Sequence, residues 1–237
     1  MIPPPLWSIL FTVVQTLSRP DAALLMDEVI LPTHLYGDRL AASGKPKTDV
    51  VRPDDPVLEQ AYAEFPLESF DVLLDEACRF IDDDAVTCLD LGSGCGRLCL
   101  YLSLTRPCWK VKGVELVDDL HQQALQAVKR SPEHWNEDGG DDLILTCSNV
   151  LQEPLPACNL LFCYATALST SRFDPSIGAM ILAWSERLTQ VCRPGTIAVT
   201  TDRALDPEMG WQQLCPPMEV PNPSLMGSVG YVQRLVG

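Results

Sequence analysis

The sequence predicts an α/β protein with a mostly parallel sheet, and three observations support this prediction. Short apolar runs alternate with amphipathic helical patterns between residues 67 and 201, as expected for strands joined by right-handed helical crossovers. The first apolar run ends in a glycine-rich turn that leads directly into a helical pattern. Two more runs after residue 210, separated by Asn222-Pro-Ser, predict a closing hairpin with an antiparallel last strand.

The individual elements follow from periodicity and turn residues. Pro66 opens a predicted helix over residues 67–81, in which Phe70, Leu73 and Leu74 fall on one face. Asp174-Pro175 predicts the cap of another helix, whose apolar face carries Ile177, Ile181, Trp184, Leu188 and Val191. Further helices are predicted at 97–104 and 118–129, and strands at 86–91, 110–115, 143–147, 158–163 and 196–201.

Residues 1–59 are predicted to form an N-terminal extension, a cap or substrate-side arm, and residues 60–237 the main domain. Prolines interrupt the extension repeatedly and leave one short helix predicted over Ala22 to Ile30. The apolar run from Leu6 to Val14 is shorter than a bilayer span and lacks the basic flank of a secretory signal. We therefore expect a helix that packs on the domain, while a targeting role stays open.

The formal net charge of −15 limits the classes of partner. Because a phosphate backbone is bound through Lys and Arg clusters, 17 basic against 32 acidic residues argue against extended nucleic-acid binding. A basic protein or a small molecule suits the acidic field better, and no membrane association is expected. The sequence does not indicate an oligomeric state.

The chain contains 10 cysteines, but none of them forms a Cys-x-x-Cys motif. Cys88, Cys99, Cys147 and Cys163 lie within apolar runs, which favours buried small hydrophobic side chains in a reducing compartment over disulfides. A cytoplasmic location is expected, with the nucleus possible in principle. The three histidines are far apart in sequence, so no metal site is predicted.

The glycine-rich turn is the segment Asp90-Leu-Gly-Ser-Gly-Cys-Gly96. Its third glycine comes one position earlier than in a dinucleotide-binding fingerprint, which disfavours a nicotinamide-dependent oxidoreductase. Glu115 ends the second predicted strand about 20 residues after the glycines, where doubly wound folds place the acid that binds ribose hydroxyls. These features predict a nucleoside-containing ligand at this turn.

This segment resembles the first motif of class I (seven-strand) S-adenosylmethionine-dependent methyltransferases. The resemblance implies a Rossmann-like seven-strand sheet with helices on both faces, and S-adenosyl-L-methionine as the cofactor. It also implies that the turn lies under the methionine moiety and that Glu115, followed by Leu116, binds the ribose. Asn149 and Val150 occupy the position that often contacts adenine. The implied turn residues are Asp90, Gly92, Ser93, Gly94 and Gly96.

Substrate-side residues are expected in the turn after the fourth strand, because ligands lie outside the carboxyl ends of parallel strands. This turn contains Tyr164 and Thr166, which are our candidate catalytic residues. The Asp/Asn-Pro-Pro-Tyr/Phe pattern of nucleobase amino-methyltransferases is absent from this turn, which argues against a nucleobase as the methyl acceptor.

The wider layout resembles the disruptor-of-telomeric-silencing family of histone lysine methyltransferases. The resemblance rests on Tyr62-Ala-Glu-Phe65 before the proline-led helix, on the glycine turn, on Gly113-Val-Glu115 and on the aromatic residue after strand four. It implies that Tyr62, Glu64 and Phe65 close over the methionine end of the cofactor, and that Tyr62 helps catalysis. The chain departs from the family at Ala63, where the family has glycine, and at Tyr164 and Thr166, where the family has asparagines.

The sequence thus predicts a methyltransferase, with a protein lysine as the leading acceptor and a small molecule as the alternative. Candidate aromatic walls for the acceptor are Tyr62, Phe65, Tyr164 and Trp184, the last of which fits the core better. A fold that binds the cofactor or a partner without turnover is a second alternative, because fold alone does not decide activity.

Overall fold

The structure, a computed structural model, describes residues 16–42, 63–82, 85–131, 142–168, 170 and 172–237. Its six α-helices among these residues are α1 (Arg19–Leu25), α2 (Tyr36–Ala42), α3 (Leu67–Cys78), α4 (Arg97–Thr105), α5 (Asp118–Arg130) and α6 (Leu182–Val191). The strands are β1 (Thr87–Leu91), β2 (Lys110–Glu115), β3 (Leu143–Cys147), β4 (Leu160–Cys163), β5 (Arg172–Asp174), β6 (Gly178–Met180), β7 (Ile197–Thr201), β8 (Trp211–Gln213), β9 (Met218–Val220) and β10 (Ser228–Leu235).

One eight-stranded sheet organises the molecule, with the order β3-β2-β1-β4-β7-β10-β8 and with β9 also paired to β10. Strands β1, β2, β3, β4 and β7 run parallel, whereas β10 is antiparallel to β7. The order reverses between β1 and β4, and ligands of such sheets bind outside the carboxyl ends of the strands at this point. The predicted parallel sheet with an antiparallel C-terminal hairpin is confirmed.

The alternation of side chains along the strands divides the core between the two faces of the sheet. On one face, Phe162 and Val199 pack with Phe70 of α3 and Leu100 of α4. On the other face, Leu161 and Ala198 of the same two strands pack with α6 and with the buried Trp211. Helices therefore cover both faces of the sheet, as predicted.

The prediction of a helix beginning at Asp174-Pro175 is wrong. Residues 172–180 form the β5–β6 hairpin, and α6 begins only at Leu182. The carboxylate of Asp174 accepts a 2.8 Å hydrogen bond from the Ser176 amide, and Gly178 has a φ of +111°. An aspartate that could cap a helix here serves a tight turn instead, because the chain reverses at once. Within α6, Leu188 is buried as expected, but Val191 is exposed.

The described part of the N-terminal extension packs on the helical layer formed by α4 and α5. Ala22, Met26 and Ile30 recur every four residues along α1 and the π-helical segment Met26–Ile30, and all three are buried. The helix predicted over Ala22 to Ile30 is thus present. The apolar run from Leu6 to Val14 lies outside the described residues. No helix within the described ranges is long and apolar enough to cross a membrane.

Candidate functional site

The glycine turn joins the end of β1 to the first residue of α4. Gly92, Gly94 and Gly96 have φ values of +78°, +56° and +78°, a region that glycine enters without steric cost. The amides of Gly92 and Ser93 both donate to the Val114 carbonyl, at 2.8 and 3.0 Å. The turn is therefore fixed to β2, and α4 begins with its backbone amides directed toward the carboxyl end of the sheet.

The glycine turn is tightly packed on the side that faces β2 and α4, and it is open at Gly92. A Cβ added to Gly113 in β2 would lie 2.8 Å from Ser93 Oγ and 2.9 Å from Cys99 Sγ, so the turn and α4 pack tightly against β2. A Cβ added to Gly92 would meet no atom of the described chain within 4 Å. The turn is thus supported closely from below, and its bare backbone at Gly92 faces open space.

Glu115 ends β2 beside the turn and is buried. Its carboxylate accepts hydrogen bonds of 2.7 Å from the Gly94 amide and 2.7 Å from the Val117 amide. Burial raises the pKa of this carboxyl, and the amide donors act in the opposite direction. A carboxylate has about four acceptor positions, so these amides leave acceptor capacity for a ligand hydroxyl group.

Asp90 lies deeper than Glu115, at the end of the same sheet. Its side chain is buried and accepts a weak hydrogen bond from the Cys99 thiol at 3.6 Å. Burial raises the pKa of Asp90 to about 7, and the nearby Glu115 charge adds to this effect. Asp90 therefore contacts α4 beneath the turn, and the surface above the turn is left to Glu115 and the glycines.

The exit of β3 lies beside Glu115, because the Ser148 amide donates to the Glu115 carbonyl at 2.8 Å. Asn149 and Val150 follow and are both buried. The side-chain oxygen of Asn149 accepts a 2.9 Å hydrogen bond from the Leu151 amide and thereby caps its own turn. Their proximity to Glu115 agrees with the predicted arrangement, while an adenine contact stays a prediction.

The turn after β4 brings two aromatic rings together at the edge where the glycine turn lies. The rings of Phe65 and Tyr164 have their centroids 5.1 Å apart. The Tyr164 oxygen accepts a 2.9 Å hydrogen bond from Asn222, and Asn222 donates another of 2.8 Å to Ser228. These contacts hold the half-buried Tyr164 between the segment before α3 and the start of β10.

Thr166 lies in the same hydrogen-bonded network as Tyr164, Asn222 and Ser228. Its hydroxyl donates to the carboxylate of Asp202, which also accepts 3.1 Å and 2.9 Å hydrogen bonds from the Ser228 hydroxyl and the Val229 amide. Asp202 follows β7 with a φ of +60°, unusual for a residue other than glycine. Asp202 and Asn222 are not among the residues predicted from the sequence, since neither stands in a recognisable motif.

Glu64 forms an ion pair with Arg39, a residue that the sequence did not predict. Arg39 of α2 is buried and donates from Nε and Nη2 to both carboxylate oxygens of Glu64. Arg97, the first residue of α4, binds Asp27 at 2.7 Å and lies 3.8 Å from Glu64. The Nε of Arg97 is buried without a hydrogen-bond partner among the described residues. Tyr62 lies outside the described ranges.

A cationic residue is unfavourable at the first position of a helix because of the helix dipole. In the sequence, only this unfavourable placement marks Arg97 as a candidate functional residue. Arg39 gave no comparable signal, because its partner Glu64 is far away in sequence.

Among the described residues, no group of three or more His, Cys, Asp or Glu side chains could hold a metal ion. The candidate site contains the glycine turn, the arginines Arg39 and Arg97, the aromatic pair Phe65 and Tyr164, and four carboxylates, those of Glu64, Asp90, Glu115 and Asp202.

Comparison with known proteins gives matches in three-dimensional structure alone. No protein-family model matches the chain, and no curated protein matches it in sequence. A protein described as a class I S-adenosylmethionine-dependent methyltransferase from Listeria monocytogenes aligns with a TM-score of 0.55 and 11% identity, over 95% of this chain and 71% of that one. A protein described as a sarcosine dimethylglycine methyltransferase from Galdieria sulphuraria aligns with a TM-score of 0.55 and 12% identity, over 91% and 98%.

The chain spans 60% of the length of another matched structure, that of MtNAS in complex with MTA and tNA, at 12% identity and a TM-score of 0.47. Nothing in these comparisons favours the histone lysine methyltransferases over other class I members. At such identities the likeness concerns the fold. The strand order, the antiparallel β10 and the structural matches agree, and the chain has the Rossmann-like fold of class I S-adenosylmethionine-dependent methyltransferases.

Proposed function

We propose that this protein binds S-adenosyl-L-methionine and transfers its methyl group to an amine. The observation that carries the proposal is the bond between the Glu115 carboxylate and the Gly94 amide. It fixes an acid with unused acceptor capacity beside a turn whose glycine backbone faces open space at Gly92. This geometry suits a ligand that has a ribose and lacks a pyrophosphate.

The residues beside the turn also suit the amino-acid end of this ligand. S-adenosylmethionine carries a carboxylate and an ammonium group at its methionine end. Arg97 supplies a buried Nε that lacks a hydrogen-bond partner in the described structure, and the Glu64 carboxylate lies beside it. A buried polar atom without a hydrogen-bond partner is costly, and a ligand carboxylate that accepts from Nε would remove that cost.

When bound, the cofactor supplies an electrophilic methyl group on a sulfonium, and the protein's task is to align the acceptor and exclude water. Glu115 and the glycine turn hold the nucleoside on one side. The half-buried Tyr164 packs on the buried Phe65 at the same end of the sheet, and its ring provides an apolar wall for the acceptor. Desolvation beside such a wall lowers the pKa of an amine and favours its neutral, nucleophilic form.

A lysine side chain of a basic protein is the acceptor that we propose first. The net charge of −15 favours encounter with a cationic substrate, and a long alkyl chain can reach between aromatic side chains. The carboxylate of Asp202, joined to Thr166, adds negative charge next to Tyr164. A small cationic amine fits these features equally well and is the alternative. The methyl-transfer assay must therefore include both classes of acceptor.

Calorimetric titration of S-adenosylhomocysteine tests the cofactor site. We expect micromolar binding to the wild-type protein and its loss in Glu115→Ala. The exposed Glu219 provides the matched control, because Glu219→Ala removes a carboxylate of equal size from β9 and not from the turn. Absence of binding to a folded wild-type protein would refute the proposal, and a nicotinamide dinucleotide titration would then test the other nucleotide class.

Transfer of a radiolabelled methyl group tests the acceptor. Core histones, a lysine-rich basic protein and a mixture of low-mass amines are supplied in parallel, and the labelled products are separated by size. We expect label on the basic proteins and its loss in Tyr164→Ala, with S-adenosylhomocysteine binding retained. Label on low-mass amines alone would select the small-molecule alternative. Cofactor binding without transfer to any acceptor would support a non-catalytic binding protein.

A further inference from the structure

Two cysteines lie together at the edge of the sheet opposite the glycine turn. Cys158 precedes β4 and is buried, and Cys192 directly follows α6 and is half-buried. Both side chains belong to one apolar cluster with Leu155, and both line the same cleft. The two cysteines thus share a site that the proposed methyl transfer does not use.

A cleft gives solvent access to this pair. Cys158 and Cys192 both line it, together with Leu89, Leu155 and Arg193, around a volume of about 90 Å³. The neighbouring Cys158 thiol lowers the pKa of Cys192 against the opposing effect of burial, and the charge of Arg187 on α6 lowers it further. Reactive cysteines are typically found in such partly exposed, electropositive surroundings.

We propose that Cys158 and Cys192 form a thiol-modification site, which low-molecular-mass disulfides such as glutathione disulfide convert into an intramolecular disulfide. The Cys192 thiolate attacks one sulfur of glutathione disulfide, forms a mixed disulfide and releases one glutathione thiolate. Cys158 then gives up its proton to solvent and attacks the Cys192 sulfur, which releases the second glutathione. The two protein thiols lose two electrons in total, and the glutathione disulfide is reduced to two glutathione molecules.

The bond would join the two ends of the segment 159–191. This segment contains β4, the turn with Tyr164 and Thr166, the β5–β6 hairpin and α6. The cleft lies at the amino ends of β4 and β7, and the glycine turn follows the carboxyl end of β1. We therefore expect oxidation to leave S-adenosylhomocysteine binding unchanged, which separates this inference from the proposed function.

Mass spectrometry of the full chain tests the pair. The reduced protein is incubated with mixtures of glutathione and glutathione disulfide, and remaining thiols are blocked with N-ethylmaleimide before digestion. In the wild type we expect a peptide linked through Cys158 and Cys192 and the loss of two free thiols. Retention of both thiols, or adducts confined to the exposed Cys108 and Cys147, would overturn the proposal.

Two variants test the order of attack. Cys158→Ser should trap glutathione on Cys192 as a stable mixed disulfide, whereas Cys192→Ser should leave Cys158 unmodified. Cys163→Ser, which alters another buried thiol in β4, serves as the control and should still form the bridge. Thermal melting under reducing conditions shows whether each variant folds, and Cys158→Ala replaces Cys158→Ser if the hydroxyl is not tolerated. A bridge-free Cys158→Ser protein without any adduct would contradict the assignment of Cys192 as the attacking thiol.

Discussion

The phenolic oxygen of Tyr164 accepts a hydrogen bond of 2.9 Å from the side-chain amide of Asn222. The same amide donates to Ser228, whose hydroxyl donates to Asp202. The turn after β4 is thereby tied to the start of β10, although the two lie far apart in sequence. This contact holds the Tyr164 ring beside the glycine turn. The roles of the ring and of the hydroxyl can therefore be tested separately.

Tyr164→Phe should cost about 1 to 3 kcal/mol of stability, because one hydrogen of the buried Asn222 amide loses its acceptor. S-adenosylhomocysteine affinity should not change, since the ring itself stays in place. If the ring serves as a wall for the acceptor, methyl transfer should survive in Tyr164→Phe and fail in Tyr164→Ala. Urea unfolding and the methyl-transfer assay check these expectations, and equal losses in both variants would assign the function to the hydroxyl.

Gly113→Ala should disturb the glycine turn from below. Its added Cβ would lie 2.8 Å from Ser93 Oγ and 2.8 Å from Leu145 Cδ2, closer than packed atoms normally approach. Overpacking of this kind costs about 1 to 3 kcal/mol. We expect a lower melting temperature together with weaker S-adenosylhomocysteine binding, because displacement of Ser93 alters the turn.

Gly37→Ala is the matched control for this change. Gly37 lies within α2, and an added Cβ would contact nothing within 4 Å. Alanine has a higher helix propensity by about 1 kcal/mol, so this variant should be as stable as the wild type or slightly more so. If Gly113→Ala behaved like Gly37→Ala in thermal melting, the close packing of β2 against the turn would be refuted.

The part of the site that the sequence predicted is the part encoded by contiguous residues. The segment from Asp90 to Gly96 ends a strand, forms a turn with positive φ angles and leads into a helix. Glu115 is likewise an acid at the end of the next strand. Local backbone preferences alone determine this arrangement. The adjacency of β1 and β2 then follows from the rules for parallel crossovers.

The remaining contacts depend on chain pairings that no local pattern encodes. Asp202 meets Thr166 and Ser228 only because β10 returns antiparallel beside β7. Arg39 reaches Glu64 only because the extension packs across α5 and the start of α4. Asp174 was ambiguous in a different way, since an aspartate followed by proline suits a helix cap and a tight turn alike. Tertiary structure decided between the two.

Asp90→Asn should change how stability depends on pH. Burial raises the Asp90 pKa from 3.8 to about 7, so between these values the folded protein binds a proton that the unfolded chain has released. Stability from this group is therefore present at low pH and is lost as pH rises through that window, by at most about 1.4 kcal/mol per pH unit. An asparagine cannot ionise, so the loss should disappear.

Urea unfolding of both proteins at pH 5 and pH 8 checks this expectation. The stability of Asp90→Asn relative to the wild type should increase by a few kcal/mol from the lower to the higher pH, which is the order of magnitude that linkage gives. The exposed Asp82 supplies the control, because Asp82→Asn removes a solvated carboxylate. Parallel pH profiles for Asp90→Asn and the wild type would show that Asp90 does not titrate in this range.

Arg97→Met should weaken the binding of S-adenosylhomocysteine and spare that of 5′-methylthioadenosine, which lacks the amino-acid end. The buried Nε of Arg97 has no hydrogen-bond partner in the described structure, and a bond between charged groups contributes about 1.5 to 3 kcal/mol, or roughly ten- to hundredfold in affinity. Arg97 also binds Asp27 of the extension, so Asp27→Asn separates the two roles by removing that ion pair and retaining the guanidinium. Calorimetry with both ligands should show selective loss for S-adenosylhomocysteine in Arg97→Met and near-normal binding in Asp27→Asn. If Asp27→Asn loses as much affinity as Arg97→Met, the arginine acts by holding the extension in place, and the ligand carboxylate binds elsewhere.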